Sequence, residues 1–271
     1  MKIVRFRLAF AGLLVLGSLK SPAQSASFTV SENGHPVGTA SYDFRSTPSG
    51  YSSESLVNVS MQGLNYALSK TERLDKANRL EHALASGTVN NTAVNIIAKP
   101  DPGPHAGQIL MSISANGRAS TTRLEAHPGE VFLADFDPGA LQTLLALCVT
   151  QRGRELWAIL PKNAGSVAPV VMATYPTEQG TLDGKPISVQ HLTATVAGAK
   201  TEIFAGPRNE LLQAELPQQG FALVRKGFVL TPPKKPIVPP EGFDQQQQQQ
   251  PAQQQYPQQP QQSYPQPAPQ Q

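Results

Sequence analysis

Asp137-Pro138-Gly139-Ala140-Leu141-Gln142-Thr143-Leu144-Leu145-Ala146-Leu147-Cys148-Val149 is the stretch that decides how this 271-residue chain folds. Asp137 has the side chain of a good N-cap, and Pro138 suits the first helical position, where the missing amide hydrogen is not needed. Leu141, Leu144, Leu145 and Cys148 then recur at helical spacing, and Leu147 and Val149 widen the apolar face almost all the way round. A helix that is greasy on nearly every side has to be covered on nearly every side. Arg152-Gly153 supplies a stop, with a cation near the negative end of the helix and glycine for the cap. One helix is therefore predicted, over about 138–150.

Outward from this segment the sequence changes period. Ala40, Tyr42 and Phe44 alternate with Ser41, Asp43 and Arg45; Val57, Val59 and Met61 alternate with Asn58, Ser60 and Gln62; Leu64, Tyr66 and Leu68 follow, and Leu80, His82 and Leu84 continue the pattern. Further runs centre on Val94–Ile97, Ile109–Ile113, Val131–Phe132, Trp157–Leu160, Val170–Met172 and Ile187–Val196. Period two gives a strand one buried and one wet face, as in antiparallel sheets with one solvated side. Asn33-Gly34, Ser49-Gly50, Asn116-Gly117 and Asp183-Gly184 are turn pairs that accept positive φ. About eleven to thirteen strands are expected. The fold class is mainly β: a strongly curved antiparallel sheet or half-barrel wrapped around the one apolar helix, followed by a disordered C-terminal tail.

The two ends of the chain read differently from its middle. Lys2, Arg5 and Arg7 precede an apolar run from Leu8 to Leu19, and Ala23-Gln24-Ser25 offers small residues for a signal peptidase. Residues 1–25 are expected to be a signal peptide, 26–230 an exported β domain, and 231–271 a Pro/Gln-rich tail. Of the last 41 residues, 27 are Pro or Gln, too few apolar groups to offset the entropy of ordering. The whole chain carries 22 Lys and Arg against 19 Asp and Glu. Four of the basic residues lie in the first 25, which hold no acid, so the remainder has 18 against 19 and a net charge of −1. That excludes the basic surface a nucleic-acid partner requires. The single cysteine, Cys148, excludes a disulfide framework, and no apolar segment after the first 25 residues is long enough to cross a bilayer.

Three features together resemble the exported half-barrel proteins related to the lipoprotein-localisation carriers. They are the opening Phe28-Thr29-Val30 with Gly34 and Val37-Gly38, the lone helix at 138–150, and a terminal meander over 187–230. A group of exported β-rich proteins without an assigned function matches equally well. The carrier resemblance implies a sheet enclosing an apolar cavity for acyl chains.

No motif for catalysis stands out. The five histidines, His35, His82, His105, His127 and His191, are scattered, without the short spacing of metal ligands. Asp135 and Asp137 form an acidic pair, but helix capping accounts for Asp137 without chemistry. No cofactor is expected. Two function readings remain. In the first, a non-catalytic exported protein, periplasmic or extracellular, binds a lipid, another apolar small molecule or a lipidated partner. Leu141, Leu144, Leu145, Cys148 and Trp157 would then line the site, although Cys148 and Trp157 taken singly read as core residues. In the second, a structural or interaction protein of the cell envelope contacts an envelope protein through its Pro/Gln-rich tail.

Overall fold

The computed structural model describes residues 23–233 apart from positions 106, 152, 163 and 164. The expected signal peptide up to residue 22 and the tail from 234 therefore lie outside the described residues, as does Arg152, the expected helix-terminal cation. Period two does what it should: the alternating segments are strands, and the fold is mainly β with one helix.

In chain order the elements are β1 (Gln24–Glu32), β2 (His35–Thr47), β3 (Gly50–Met61), β4 (Leu64–Asp75), β5 (Leu80–Val89), β6 (Thr92–Pro100), β7 (Gln108–Ala115), β8 (Arg118–Glu125) and β9 (Glu130–Phe132). The helix α1 (Pro138–Thr150) follows. After it come β10 (Leu156–Leu160), β11 (Ser166–Thr174), β12 (Glu178–Leu182), β13 (Lys185–Val196), β14 (Ala199–Ala205), β15 (Leu211–Leu216), β16 (Phe221–Arg225) and β17 (Phe228–Thr231). Among the described residues there are seventeen strands, more than the eleven to thirteen expected. The excess lies in segments such as β8, Arg-Ala-Ser-Thr-Thr-Arg-Leu-Glu, and β12, Glu-Gln-Gly-Thr-Leu, which hold too few apolar residues to announce themselves. They are strands because a neighbour recruits them, a tertiary effect that local pattern does not carry.

The strands form one large, curved, non-closed sheet. From β1 to β8 each strand pairs antiparallel with the next, and β1 also pairs with β16, which continues through β15, β14, β13, β11 and β10 to β9. Two-residue turns join many of them: Asn33-Gly34, Asn90-Asn91, Asn116-Gly117 and Asp183-Gly184 all have positive φ at both positions, the geometry that matches strand twist. The departure from an all-antiparallel sheet is β9, which runs parallel to β10 with Val131 opposite Ala158. Parallel neighbours need a crossover, and α1 is that crossover. This connection carries the helix to the concave side.

There α1 packs on β2 and β3 and against β15, while the β10–β11 hairpin fills the space beneath β7 and β8. The fit at the hairpin tip is tight. A Cβ at Gly165, which has φ +92°, would lie 1.7 Å from the methyl of Met111. The resulting core joins both ends of the sheet, from Phe28, Tyr42 and Val57 to Met111, Leu145, Ile159 and Leu223. A second, smaller core of Val189, Phe204, Leu212, Phe228 and Leu230 lies on the other face of β13–β15. Strand alternation puts Phe204 there while Ile203 faces the helix side. The β12–β17 pair covers this second core.

Two details differ from the sequence expectation. β1 starts at Gln24, two residues before the expected domain start at 26. In β5 the inward residues are Ala83 and Ala85, while Leu84 is 37% exposed. A register shift between Arg73 and Leu74 of β4 sets Leu74 opposite Leu80 and turns the following residues over, so the Leu80-His82-Leu84 alternation does not continue as one buried face.

Candidate functional site

The residues expected to line an apolar site sit on two elements. Leu141, Leu144 and Leu145 of α1 are all buried, Leu145 completely, and are part of the main core. Cys148 is half-buried one turn later, against the same core. Burial raises its thiol to about 11, so at neutral pH it is a small apolar group rather than a nucleophile. Trp157 of β10 is half-buried and stacks on the His127 ring at a centroid distance of 3.8 Å. It is not in the helix cluster; its partner is the loop that leads into β9.

The chemically richest group lies at the other end of the helix. Strand β4 alternates Tyr66, Leu68, Lys70, Glu72 and Leu74 on its inner face, so two charged residues are carried inward by the same period that buries the apolar ones. The β9–α1 connection brings Asp137 and the backbone of Phe132 to them. Lys70 Nζ lies 2.6 Å from Asp137 Oδ2 and 3.1 Å from Glu72 Oε2, and donates to the Phe132 carbonyl at 3.2 Å. Glu72 Oε1 accepts the Phe132 amide at 2.6 Å, and Ser53 Oγ, opposite Glu72 on β3, donates to Glu72 Oε2 at 3.3 Å. Asp137 Oδ1 accepts the amides of Gly139 and Ala140, so the N-cap read from sequence is present.

An ammonium has three protons to give, and here it has three acceptors. Burial alone would push the Lys70 ammonium down, but Asp137 and Glu72 outweigh it and hold the group above its ordinary value. A charged, saturated lysine has no lone pair for nucleophilic or basic chemistry. What the cluster does is tie β4, β9 and the start of α1 together. Sequence reasoning read Asp137 as a cap and missed Lys70 and Glu72. The available signal was two charges continuing the apolar phase of Leu64-Tyr66-Leu68.

A second polar knot fixes the middle of α1. Gln142 Oε1 accepts from the Tyr42 hydroxyl at 2.9 Å and from the Leu211 amide at 2.8 Å, and its Nε2 donates to the Asn209 carbonyl. Asn209 returns a bond from Nδ2 to the Leu145 carbonyl at 2.7 Å. Burial raises the Tyr42 phenol to about 12, so it stays a donor.

Two further polar groups lie away from the helix. Glu130, first residue of β9, is buried, accepts the His127 amide through Oε1 and is raised by burial to about 7. His191 of β13 lies between the rings of Tyr175 and Phe204, with Nδ1 2.9 Å from Glu178 Oε1. Asp135 does not join Asp137; it pairs with Lys162 at 2.9 Å near the surface. Among the described residues no group of three His, Cys, Asp or Glu side chains is arranged to hold a metal ion, and no helix is long and apolar enough to cross a membrane. Comparison with protein-family models, with curated proteins and with solved structures finds no match to this chain.

Proposed function

We propose that this chain is a non-catalytic exported protein of the cell envelope, and that its β domain is a rigid platform presenting the Pro/Gln-rich segment from 231 onward to a partner. The observation that carries this reading is the packing of the helix. Leu141, Leu144 and Leu145, the side chains a carrier would turn toward its cargo, are instead 6%, 2% and 0% exposed within a core shared with the sheet. The buried charges point the same way: Lys70, Glu72 and Asp137 use their bonding capacity on one another and on backbone. A Pro-rich segment is suited to contact, because its extended form loses little entropy on binding. The net charge of −1 left after the first 25 residues argues for a protein partner over a nucleic acid. Cross-linking in the native envelope tests the reading. Full-length protein should capture a partner, and a chain ending at Pro233 should fold normally and capture none.

A second reading has one observation in its favour. The helix lies inside the curved sheet, as in the half-barrel carriers this sequence resembles, and its C-terminal turn opens outward, with Val149 50% exposed. A lipid or lipidated partner would enter there, displacing the last turn to reach Cys148 and Leu145. Organic extraction of purified protein and titration with an environment-sensitive acyl probe decide it. Co-purified lipid or saturable probe binding supports carriage; an empty, non-binding protein removes it.

A further inference from the structure

We propose that the chain is processed between Ala23 and Gln24, so that the exported protein begins with the first residue of β1; this rests on the export reading above. Downstream of the apolar run, two cuts up to Ser25 satisfy the requirement for small residues one and three positions before the scissile bond; a third, after Ser27, would delete four residues of β1. One follows Ser25, with Ala23 three back; the other follows Ala23, with Ser21 three back. The sequence does not separate them, but the fold does. Gln24 and Ser25 are strand residues: Gln24 stands opposite Phe44 of β2 and Ser25 opposite Asp43. Gln24 also donates from Nε2 to the Arg208 carbonyl at 3.1 Å, tying β1 to the loop before β15. A cut after Ser25 would delete both residues from the ladder and leave that carbonyl and the end of β2 without their partners. A cut after Ala23 removes nothing that the sheet uses, since Ala23 itself is exposed and outside the strand. The hydrolysis breaks the Ala23 carbonyl–Gln24 nitrogen bond. Water supplies the hydroxyl to the Ala23 carboxylate and a proton to the new Gln24 amine.

Intact-mass measurement and N-terminal sequencing of protein recovered from the exported fraction test this. A chain of residues 24–271 is expected. A form lighter by one ammonia, with the loss placed on the N-terminal peptide, supports it equally, because an N-terminal glutamine cyclises with that loss. A chain starting at Ala26 overturns the assignment and leaves export standing. Uncut protein retained inside the cell overturns the export reading, and the assignment with it. Two variants separate the sites without touching the core. Ser25→Phe, at an exposed position, should leave the Gln24 terminus unchanged, whereas Ala23→Phe should abolish that product. Loss of processing in both variants would place the cut after Ser25, for which Ser25 and Ala23 stand one and three positions back.

Discussion

Lys70 Nζ stands 2.6 Å from Asp137 Oδ2, with both side chains almost entirely out of water. The pair joins the middle of β4 to the first turn of α1 across a gap of 67 residues in sequence, and it does so beside a helix N-terminus whose partial positive charge favours the carboxylate. A buried ion pair is a poor source of net stability, because desolvation offsets its attraction, but breaking one half is costly. The pair therefore specifies where the helix enters the sheet more than it strengthens the fold.

Removing one charge should show this. Lys70→Met leaves Glu72 and Asp137 buried together without their cation and should lower unfolding free energy by about 3–5 kcal/mol. Asp137→Asn keeps an acceptor for the Gly139 and Ala140 amides but removes the charge next to Lys70, so it should cost a similar amount although the cap survives. Urea titrations followed by Trp157 fluorescence measure both. If Asp137→Asn costs no more than the ~1 kcal/mol of a cap, the ion pair is not what fixes the helix.

Glu130 gives the fold a pH dependence of opposite sign to the usual carboxylate. Its native value, raised by burial to about 7, exceeds the ordinary value of 4.5, so the native state binds the proton more tightly than the unfolded chain. The stabilisation is complete below pH ~4.5 and is lost as pH rises through about 7, amounting to on the order of 2–3 kcal/mol. Glu130→Gln keeps an acceptor for the His127 amide and cannot ionise. It should flatten this part of the stability–pH curve and leave the variant more stable than the parent at pH 8. Equal slopes for parent and variant between pH 5 and 8 would show that Glu130 ionises as if exposed.

The parts of this fold written in local sequence were legible. Asp137-Pro138 marks the helix start because a cap and a first-turn proline act on their immediate neighbours, and the structure has that cap. The Ala40-Tyr42-Phe44 and Val57-Val59 alternations mark buried faces, and these residues are buried. What was not legible depends on partners distant in the chain. The bulge at Glu81 of β5 that exposes Leu84 is set by pairing with β4. The parallel β9–β10 pair exists because a helix lies between its strands. Lys70 and Glu72 look like the wet end of a strand until the β9–α1 connection is laid over them. For the candidate site the same division holds. The apolar helix face is a local property, whereas its burial is decided by β2, β3 and β15, all distant in the chain.

Leu145 tests how firmly that face is held. It is fully buried, and its carbonyl accepts from Asn209 Nδ2. Leu145→Ala removes side-chain volume from the centre of the concave core and should cost about 2–5 kcal/mol, toward the upper end if the rigid sheet cannot collapse onto the gap. The two functional readings differ on what else follows. A filled platform gains a void with affinity for small apolar molecules that the parent lacks. A carrier loses affinity for an acyl probe it already binds. Thermal shifts of parent and variant with and without the probe separate the two.

Cys148 reports on the opening of the helix end. With its thiol raised to about 11 rather than the ordinary 9, the thiolate fraction at pH 8 is about 100-fold below that of an exposed cysteine, before any steric shielding is counted. A more basic thiolate is also the better nucleophile, so labelling by a disulfide reagent should be at least ~10-fold slower in native protein than in urea. Its rate should keep climbing past pH 9, where a free thiol levels off. An acyl ligand that lifts the last turn of α1 would hydrate the sulfur and lower its value, so labelling would speed up in the ligand's presence. A platform with a filled core predicts no change. Fast labelling of the unliganded native protein at pH 8 would mean that this end of the helix is already open.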